Sequence, residues 1–217
     1  MRISTVIKAL LAVTAVTPIL CHAESTYNNS GAAPSTATAH VDFQITIPKF
    51  LFLRVGTGTG AINALGTFTT APATVGTIDA ITWAPSPAQV GTGPLAGTGG
   101  DLTGGVETAI VVANNGAVQF TSTTGGALND GVAGDTISWS QITTTPSKNF
   151  TTAVLQPPTL LDSGNGSVTV NPNVGTKVVA QDAKWTYSYS NNLMPPAGTY
   201  GGVGVNNGRV TYTASVP

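Results

Sequence analysis

The chain has few charged residues, few histidines and a single cysteine. Of its 217 residues only 8% are charged, and the formal net charge is −1. Charged residues make up roughly a quarter of an ordinary soluble domain, so the surface is predicted to be polar and mostly uncharged. Because no dense basic patch can form, binding to nucleic acid or anionic lipid through such a patch is excluded.

Residues 1–23 predict a secretory signal peptide, cleaved before Glu24. Arg2 and Lys8 make the start basic, residues 9–16 are apolar, and Cys21-His22-Ala23 puts small residues at the −3 and −1 positions of a cleavage site. The apolar stretch is too short to span about 30 Å of hydrocarbon. We therefore expect export through the Sec route and no membrane span in the mature chain.

Loss of this signal peptide removes residues that many catalytic and metal-binding sites require. It removes two of the eight basic residues and the only cysteine, and it leaves His40 as the one histidine. A disulfide, a cysteine nucleophile, a zinc site of His and Cys and a hydrolytic triad are then not expected. The remaining carboxylates each stand alone in the sequence among Gly, Thr and Ser: Asp42, Asp79, Asp101, Glu107, Asp130, Asp135, Asp162 and Asp182. We expect no enzymatic activity, no metal and no cofactor.

The start of the mature chain combines a polar segment with an alternating one. Residues 24–39 are rich in Ser, Thr, Ala and Asn and predict a flexible arm. From residue 37 to 47 apolar residues alternate with polar ones, which is typical of a β-strand with one apolar face; that face consists of Ala37, Ala39, Val41, Phe43, Ile45 and Ile47. Pro48 interrupts the pattern, and residues 50–55 form an apolar run that predicts a strand covered on both faces.

The rest of the chain predicts short strands separated by Gly, Pro and Asn, without a helix of consequence. The candidate strands are residues 77–83, 106–113, 117–123, 136–142, 167–170, 177–189 and 209–215. Asn114-Asn115-Gly116 predicts a hairpin turn, since Asn and Gly tolerate positive φ. Together these features predict an all-β, antiparallel, immunoglobulin-like β-sandwich of one domain, residues 40–217, with the N-terminal arm or a donor strand at residues 37–47.

Several local patterns have ordinary structural interpretations. Residues 85–105 and 143–162 predict solvent-facing loops. Asn129-Asp130-Gly131 and residues 162–167 lack the spaced carboxylates of a calcium loop and predict turns. The clustered aromatic residues could form a sugar-stacking platform, but packing into the core is favoured; they are Trp83, Trp139, Trp185, Tyr187 and Tyr189.

The last residues repeat the alternation of the first ones. Val210, Tyr212, Ala214 and Val216 share one face of the C-terminal strand. With the donor-like row Val41, Phe43, Ile45 and Ile47, and with Gly204 about 14 residues from the end, the chain resembles the pilin-like (fimbrial) subunits of bacterial surface fibres assembled by a chaperone/usher system. It departs from them at Val216, where an aromatic residue is usual, and in having no disulfide.

The resemblance implies a structural subunit of a non-covalent extracellular fibre, built by β-strand addition and supporting adhesion or biofilm. Its partners would be copies of itself, a periplasmic chaperone and an outer-membrane usher, and its route would lead from periplasm to cell surface. Two alternatives stay open. Residues 37–47 could be the first strand of their own sandwich, and the protein could be a monomeric secreted carbohydrate- or surface-binding module.

Overall fold

The computed structural model describes residues 25–29, 31 and 36–217. The chain divides into two compact units, Met1–Ile47 and Pro48–Pro217. The predicted signal peptide lies outside the described residues. In the first unit the described residues are exposed and carry no strand, and hydrogen bonds join Thr26 to Thr38 and Asn28 to Thr36.

The second unit, which is described throughout, is built from short strands and one 3-10 helix, Trp139–Gln141. The strands are β1 Leu51–Val55, β2 Ile81–Thr82, β3 Leu95–Ala96, β4 Thr98–Gly99, β5 Val106–Ala113, β6 Val118–Thr124, β7 Leu128–Asn129, β8 Thr136–Ile137, β9 Ile142–Ser147, β10 Asn165–Val170, β11 Val179–Tyr189 and β12 Val210–Ser215. No helix in the part of the chain that the structure describes has the length and apolar character needed to cross a membrane.

Two antiparallel sheets carry the fold. In the first sheet β11 is central: β5 and then β3 pair with one of its edges, β9 pairs with the other, and β1 pairs with β5. In the second sheet the order is β10-β6-β12. Two further pairs are short, β2 with β4 and β7 with β8. β1 and β12 are therefore edge strands of different sheets.

Both sheets contribute to one hydrophobic core. Phe120 of β6 stacks on Trp185 of β11 with ring centroids 5.8 Å apart, and the ring of Tyr212 in β12 lies 5.5 Å from that of Trp185. Burying a large apolar side chain contributes about 1.5–3 kcal/mol, so such contacts provide much of the stability. The predicted all-β class with antiparallel strands is confirmed, and the arrangement is consistent with a β-sandwich.

A smaller apolar cluster covers the opposite face of the first sheet. It consists of Phe52, Ile62, Phe68, Ile110, Val112 and Ala180. Phe52 of β1 packs edge-on against Phe68 at 5.4 Å, whereas Leu53 and Val55 of the same strand pack on the main core. β1 thus carries apolar side chains on both faces, as the run at residues 50–55 predicted, and Arg54 is the one charged residue in it.

The hairpin predicted at Asn114-Asn115-Gly116 is wrong. β5 belongs to the first sheet and β6 to the second, so the turn leads the chain from one sheet to the other. The Asn114 side chain accepts from Phe50 N at 2.9 Å and donates to Pro48 O at 2.8 Å, and Gly116 N donates to Lys177 O at 2.8 Å. Asn and Gly favour a tight turn, but the pairing of the flanking strands follows from burial of β5 on both faces.

Other differences have the same origin. The strand predicted at residues 77–83 is reduced to β2, and the one predicted at 136–142 is interrupted by the 3-10 helix. The region 143–162 is not a solvent-facing loop: most of β9 lies in it, and Thr151, Leu155, Pro158 and Leu160 are buried. Region 85–105 contains β3, β4 and the buried Gly97 and Gly105, but most of its residues are exposed, as predicted. Contacts with distant strands bury single residues of both segments, and local composition does not record such contacts.

Candidate assembly surfaces

Residues 41–47 expose an apolar row. Val41, Phe43, Ile45 and Ile47 are 66%, 89%, 86% and 76% exposed, and no residue from 36 to 50 belongs to a strand. The strand that the alternation predicts is thus not formed in the single copy, because a strand requires a neighbour for its hydrogen-bond ladder. Contiguous apolar side chains in water are a feature of interaction surfaces. We call these four residues the apolar row.

The C-terminal strand β12 has one free edge. It pairs with β6 from Val210 to Ser215 and with no other strand of the second unit, all of which is described. Its predicted alternation is confirmed, since Val210, Tyr212, Ala214 and Val216 are half-buried against the main core. The carbonyl of Pro217 accepts from Asn115 Nδ2 at 3.0 Å, which holds the end of the chain in place.

Tyr212 is the best-anchored residue of this strand. Its hydroxyl lies 2.9 Å from the hydroxyl of Tyr187 in β11, which joins the two sheets. Burial is the main reason why the pKa of Tyr212 is raised to about 12, and burial likewise raises the pKa of Tyr187 well above its ordinary value. Both phenols are neutral at physiological pH. The apolar face of β12 therefore belongs to its own core, and its free backbone edge is what remains for a partner.

The second free edge belongs to β1. This strand pairs only with β5, and a groove of about 480 Å³ runs along it. One wall is formed by residues 50–55 and 57–59, and the opposite wall by residues 72–75 and 77. Residues 71–78 are exposed and carry no strand. β1 and β12 come within 8 Å of each other (Cα to Cα) without forming a ladder. We call this feature the β1 groove.

A carboxylate cluster lies next to the turn that follows β1. Asp79 accepts a hydrogen bond from Thr57 Oγ1 at 2.8 Å and another from Thr57 N, so the segment before Asp79 is tied to the turn after β1. A Cβ added to Gly56 would lie 2.3 Å from Asp79 Oδ2 and 2.7 Å from Glu107 Oε2, so only glycine fits between these carboxyl groups. Asp79, Asp101 and Glu107, which stand alone in the sequence, therefore lie close together in the structure.

Glu107 is the buried member of this cluster, with 5% of its surface exposed. Burial, together with the nearby charges of Asp79 and Asp101, raises its pKa to about 8, although the hydrogen bond from Asp101 N acts in the opposite direction. Glu107 is therefore mostly protonated at neutral pH. Asp101 accepts from Thr108 N at 2.8 Å and from the Thr108 hydroxyl. The carboxyl groups hold loops together and do not line the β1 groove.

The signal that identifies Glu107 is its place in an otherwise apolar strand. β5 reads VETAIVVA, and a carboxylate inside such a strand is buried at a cost unless it is protonated or hydrogen-bonded. The β1 groove has no comparable sequence signal, because its second wall is a short segment of small apolar residues and threonines without a sustained alternation.

The other sequence candidates have structural roles. Trp139, Trp185, Tyr187 and Tyr189 are buried, which confirms the prediction that they pack in the core, whereas the fifth member of the set, Trp83, is half-buried against it. The side chains of Asn129 and Asp130 accept from Gly131 N and Val132 N at 3.1 and 2.9 Å, as the predicted turn requires. Within the described ranges no group of three or more His, Cys, Asp or Glu residues is arranged to hold a metal ion.

Comparison with protein-family models, with curated proteins and with solved structures found no match for this chain. A function therefore has to be inferred from its own residues: an exposed apolar row before the second unit, and free sheet edges within it, among them those of β1 and β12.

Proposed function

We propose that this protein is the structural subunit of a non-covalent extracellular fibre. Each copy would have an immunoglobulin-like β-sandwich, and the apolar row of one copy would add as a strand to a free sheet edge of the next. The observation that carries the proposal is the exposure of the apolar row in a segment that alternates apolar and polar residues. Its donor residues are Val41, Phe43, Ile45 and Ile47.

The proposal accounts for the energetic cost of the exposed row. Apolar surface removed from water contributes about 25 cal/mol per Å², so four large side chains favour association strongly. In an added strand these side chains would share one face, while Asp42, Gln44 and Thr46 would share the other. One face would then be buried and the other hydrated.

The β1 groove is the acceptor that we favour. A strand beside β1 would find unpaired backbone groups on its inner side and the half-buried Leu53 and Val55 on the core side. Seven residues of extended chain span about 23 Å, which is enough to cover all five residues of β1. The free edge of β12, with Val210, Tyr212, Ala214 and Val216 facing the core, borders the same side of the molecule.

The proposed route follows from the resemblance to fimbrial subunits. The chain would pass through the Sec system to the periplasm, where a chaperone would cover the free edge until an outer-membrane usher exchanges it for the donor strand of another copy. The finished fibre would support adhesion or biofilm. Its low charge and its Thr- and Gly-rich composition suit a subunit that stacks on its own kind.

Charge on the apolar row tests this proposal. We expect Phe43→Asp and Ile45→Asp to abolish the fibre, because each variant would bury a carboxylate at a cost of several kcal/mol, and about 2.8 kcal/mol already weakens association 100-fold. Gln44→Asp, on the hydrated face, is the matched control and should assemble. The measurement is an unboiled denaturing gel of material sheared from producing cells, compared with a boiled sample. Equal effects of all three substitutions would contradict strand addition through this row.

A further inference from the structure

A second cavity, of about 500 Å³, lies where β11 ends. The side chains that define it are Trp83, Ile142, Tyr189, Asn191, Pro195 and Tyr200. We call it the aromatic pocket. It involves neither the apolar row nor the residues that line the β1 groove, so a ligand could occupy it whether or not the protein assembles into a fibre.

The wall of the aromatic pocket is fixed by Asn191. This residue is 1% exposed and adopts a positive φ of 46°. Its Nδ2 donates to Gln89 O at 2.7 Å and to Gly93 O at 2.9 Å, and its Oδ1 accepts from Gly91 N at 3.2 Å. These bonds attach residues 89–93 to the end of β11. The pocket is therefore formed before any ligand arrives, which lowers the entropic cost of binding.

Three aromatic rings line this wall. The rings of Trp83 and Tyr189 pack against each other, with centroids 6.5 Å apart and planes inclined by 58°, which fixes the position of the indole. Gly97 lies against the indole of Trp83. A Cβ added to Gly97 would lie 3.4 Å from Trp83 Cε2, so the absence of a side chain there leaves room for the indole. Tyr200 donates its hydroxyl to Pro196 O at 2.9 Å, which orients the third ring.

The pocket is uncharged. None of its lining residues is Asp, Glu, Lys, Arg or His. The Asp130 carboxylate lies at the rim beside Gly198, and the charges of Asp130 and Asp135 both act on the Tyr200 hydroxyl. An anionic ligand would be repelled there, and a cationic one would find no paired charge inside. The ligand class that fits is neutral.

The available hydrogen-bond donors distinguish between two neutral ligands. A proline-rich peptide would bind through donors to its carbonyl groups. Here the Tyr200 hydroxyl is already engaged with Pro196, and Trp83 Nε1, which is buried without a hydrogen-bond partner, could serve only one ligand oxygen. The C–H faces of a pyranose ring need no such donors, because they stack directly on aromatic rings. Its hydroxyl groups would remain near water and the exposed Thr199.

We propose that the aromatic pocket binds an uncharged saccharide, with Trp83 and Tyr200 as stacking residues. The test uses the purified mature chain and a panel of methyl glycosides of glucose, galactose, mannose and N-acetylglucosamine, with glucuronic acid as the anionic comparison. Saturation-transfer NMR measures binding, and circular dichroism verifies that each variant is folded. The variants are Trp83→Ala and Tyr200→Ala, with Phe150→Ala as an exposed aromatic control outside the pocket.

We expect saturation transfer to at least one neutral glycoside, at least a tenfold loss in each folded pocket variant, and no loss in Phe150→Ala. Tyr200 lies in a loop, so Tyr200→Ala remains a test if Trp83→Ala fails to fold. Transfer to no glycoside, equal transfer in all variants, or preference for glucuronic acid would overturn the proposal. Binding of a decaproline peptide instead of the glycosides would overturn it in favour of a peptide site. None of these results would affect the gel ladder expected of a fibre.

Discussion

At the scale of single residues, the most constrained group is the carboxylate of Asp182 in the middle of β11. It is fully buried and accepts hydrogen bonds from Asn149 Nδ2 at 2.8 Å, Thr151 N at 2.8 Å, Thr151 Oγ1 at 2.6 Å and Phe150 N at 3.2 Å. A buried carboxylate is stable only with such partners. Asp182 thus organises residues 149–151 against the first sheet.

Replacement of Asp182 by Ala should therefore be strongly destabilising. The substitution leaves several buried donors without an acceptor, and each unsatisfied group costs about 1–3 kcal/mol. We expect the free energy of unfolding in urea to fall by at least about 3 kcal/mol. Asp42→Ala, at an exposed position, is the control and should change it by less than about 0.5 kcal/mol. A similar small effect of both substitutions would show that the Asp182 bonds are dispensable.

Glu107 makes stability depend on pH. Its pKa is about 8 in the folded protein, because burial and the charges of Asp79 and Asp101 disfavour ionisation, and near 4.5 when unfolded. Below pH 4.5 both states hold the proton. As the pH rises from 4.5 to 8, only the unfolded state releases it readily, so the stability contributed by the protonated group is lost.

We expect the Tm to fall between pH 5 and pH 9, and Glu107→Gln to remove much of that decrease. In a domain of this size, 1 kcal/mol corresponds to about 2–4 °C in Tm, which calorimetry resolves. The variant should be more stable than the wild type at pH 9 and similar to it at pH 5. If the Tm of Glu107→Gln fell with pH as steeply as that of the wild type, Glu107 would be ionised at neutral pH in the folded protein.

At the scale of elements, the free edge of β1 is the decisive feature. An unprotected edge strand is a template for pairing with another chain. β1 is short, carries apolar side chains on both faces, and is bordered by a groove instead of another strand. This groove distinguishes it from β12, since each of the two strands packs one apolar face on the main core.

Cysteine pairs between copies test whether β1 is the acceptor. The mature chain is predicted to contain no thiol, so two introduced cysteines give an unambiguous cross-link. We expect a copy carrying Ile45→Cys, mixed with one carrying Leu53→Cys or Val55→Cys, to form a disulfide-linked dimer, because facing side chains on one side of a ladder have Cβ atoms about 4.5–5.5 Å apart. The dimer is measured on a non-reducing gel.

Two matched pairs control this experiment. Gln44→Cys mixed with Leu53→Cys should cross-link at least tenfold less, since adjacent residues of a strand face opposite sides. In the second pair, Ile45→Cys is mixed with Ala214→Cys, which tests β12 as the alternative acceptor strand. Efficient cross-linking to position 214 and not to positions 53 or 55 would transfer the acceptor role to β12.

At the scale of the whole molecule, the chain consists of a short first unit with an exposed apolar row and a second unit with its own core. Because the sheets and both hydrophobic clusters are built from residues after Pro48, the second unit is expected to fold without residues 24–47. Assembly and folding should therefore be separable.

Deletion of residues 24–47 should abolish self-association but leave the second unit folded. The expected result is a gel ladder for the full mature chain, which collapses on boiling, and a single monomer band for the deletion variant. Its thermal unfolding transition should remain cooperative, with a Tm within about 4 °C of that of a monomeric Phe43→Asp variant. A ladder formed by the deletion variant would show that other surfaces hold the copies together.

The positions of the longer strands were predictable because their signal is local. The strand predicted at residues 106–113 coincides with β5, and those at 177–189 and 209–215 differ from β11 and β12 by one or two residues. The alternation of apolar and polar residues depends only on the two-residue repeat of a strand. The same repeat identified the apolar row, and the composition alone indicated a surface with little charge.

Only the tertiary structure decided which strands pair and what lies between them. The turn at residues 114–116 reads as a hairpin but connects two sheets, because the pairing of β5 depends on β1 and β11, which are distant in sequence. For the same reason Asp79, Asp101 and Glu107, which are isolated in the sequence, form one cluster. The β1 groove and the aromatic pocket are likewise spaces between segments far apart in the chain, whereas sequence periodicity reports only on neighbours within one strand.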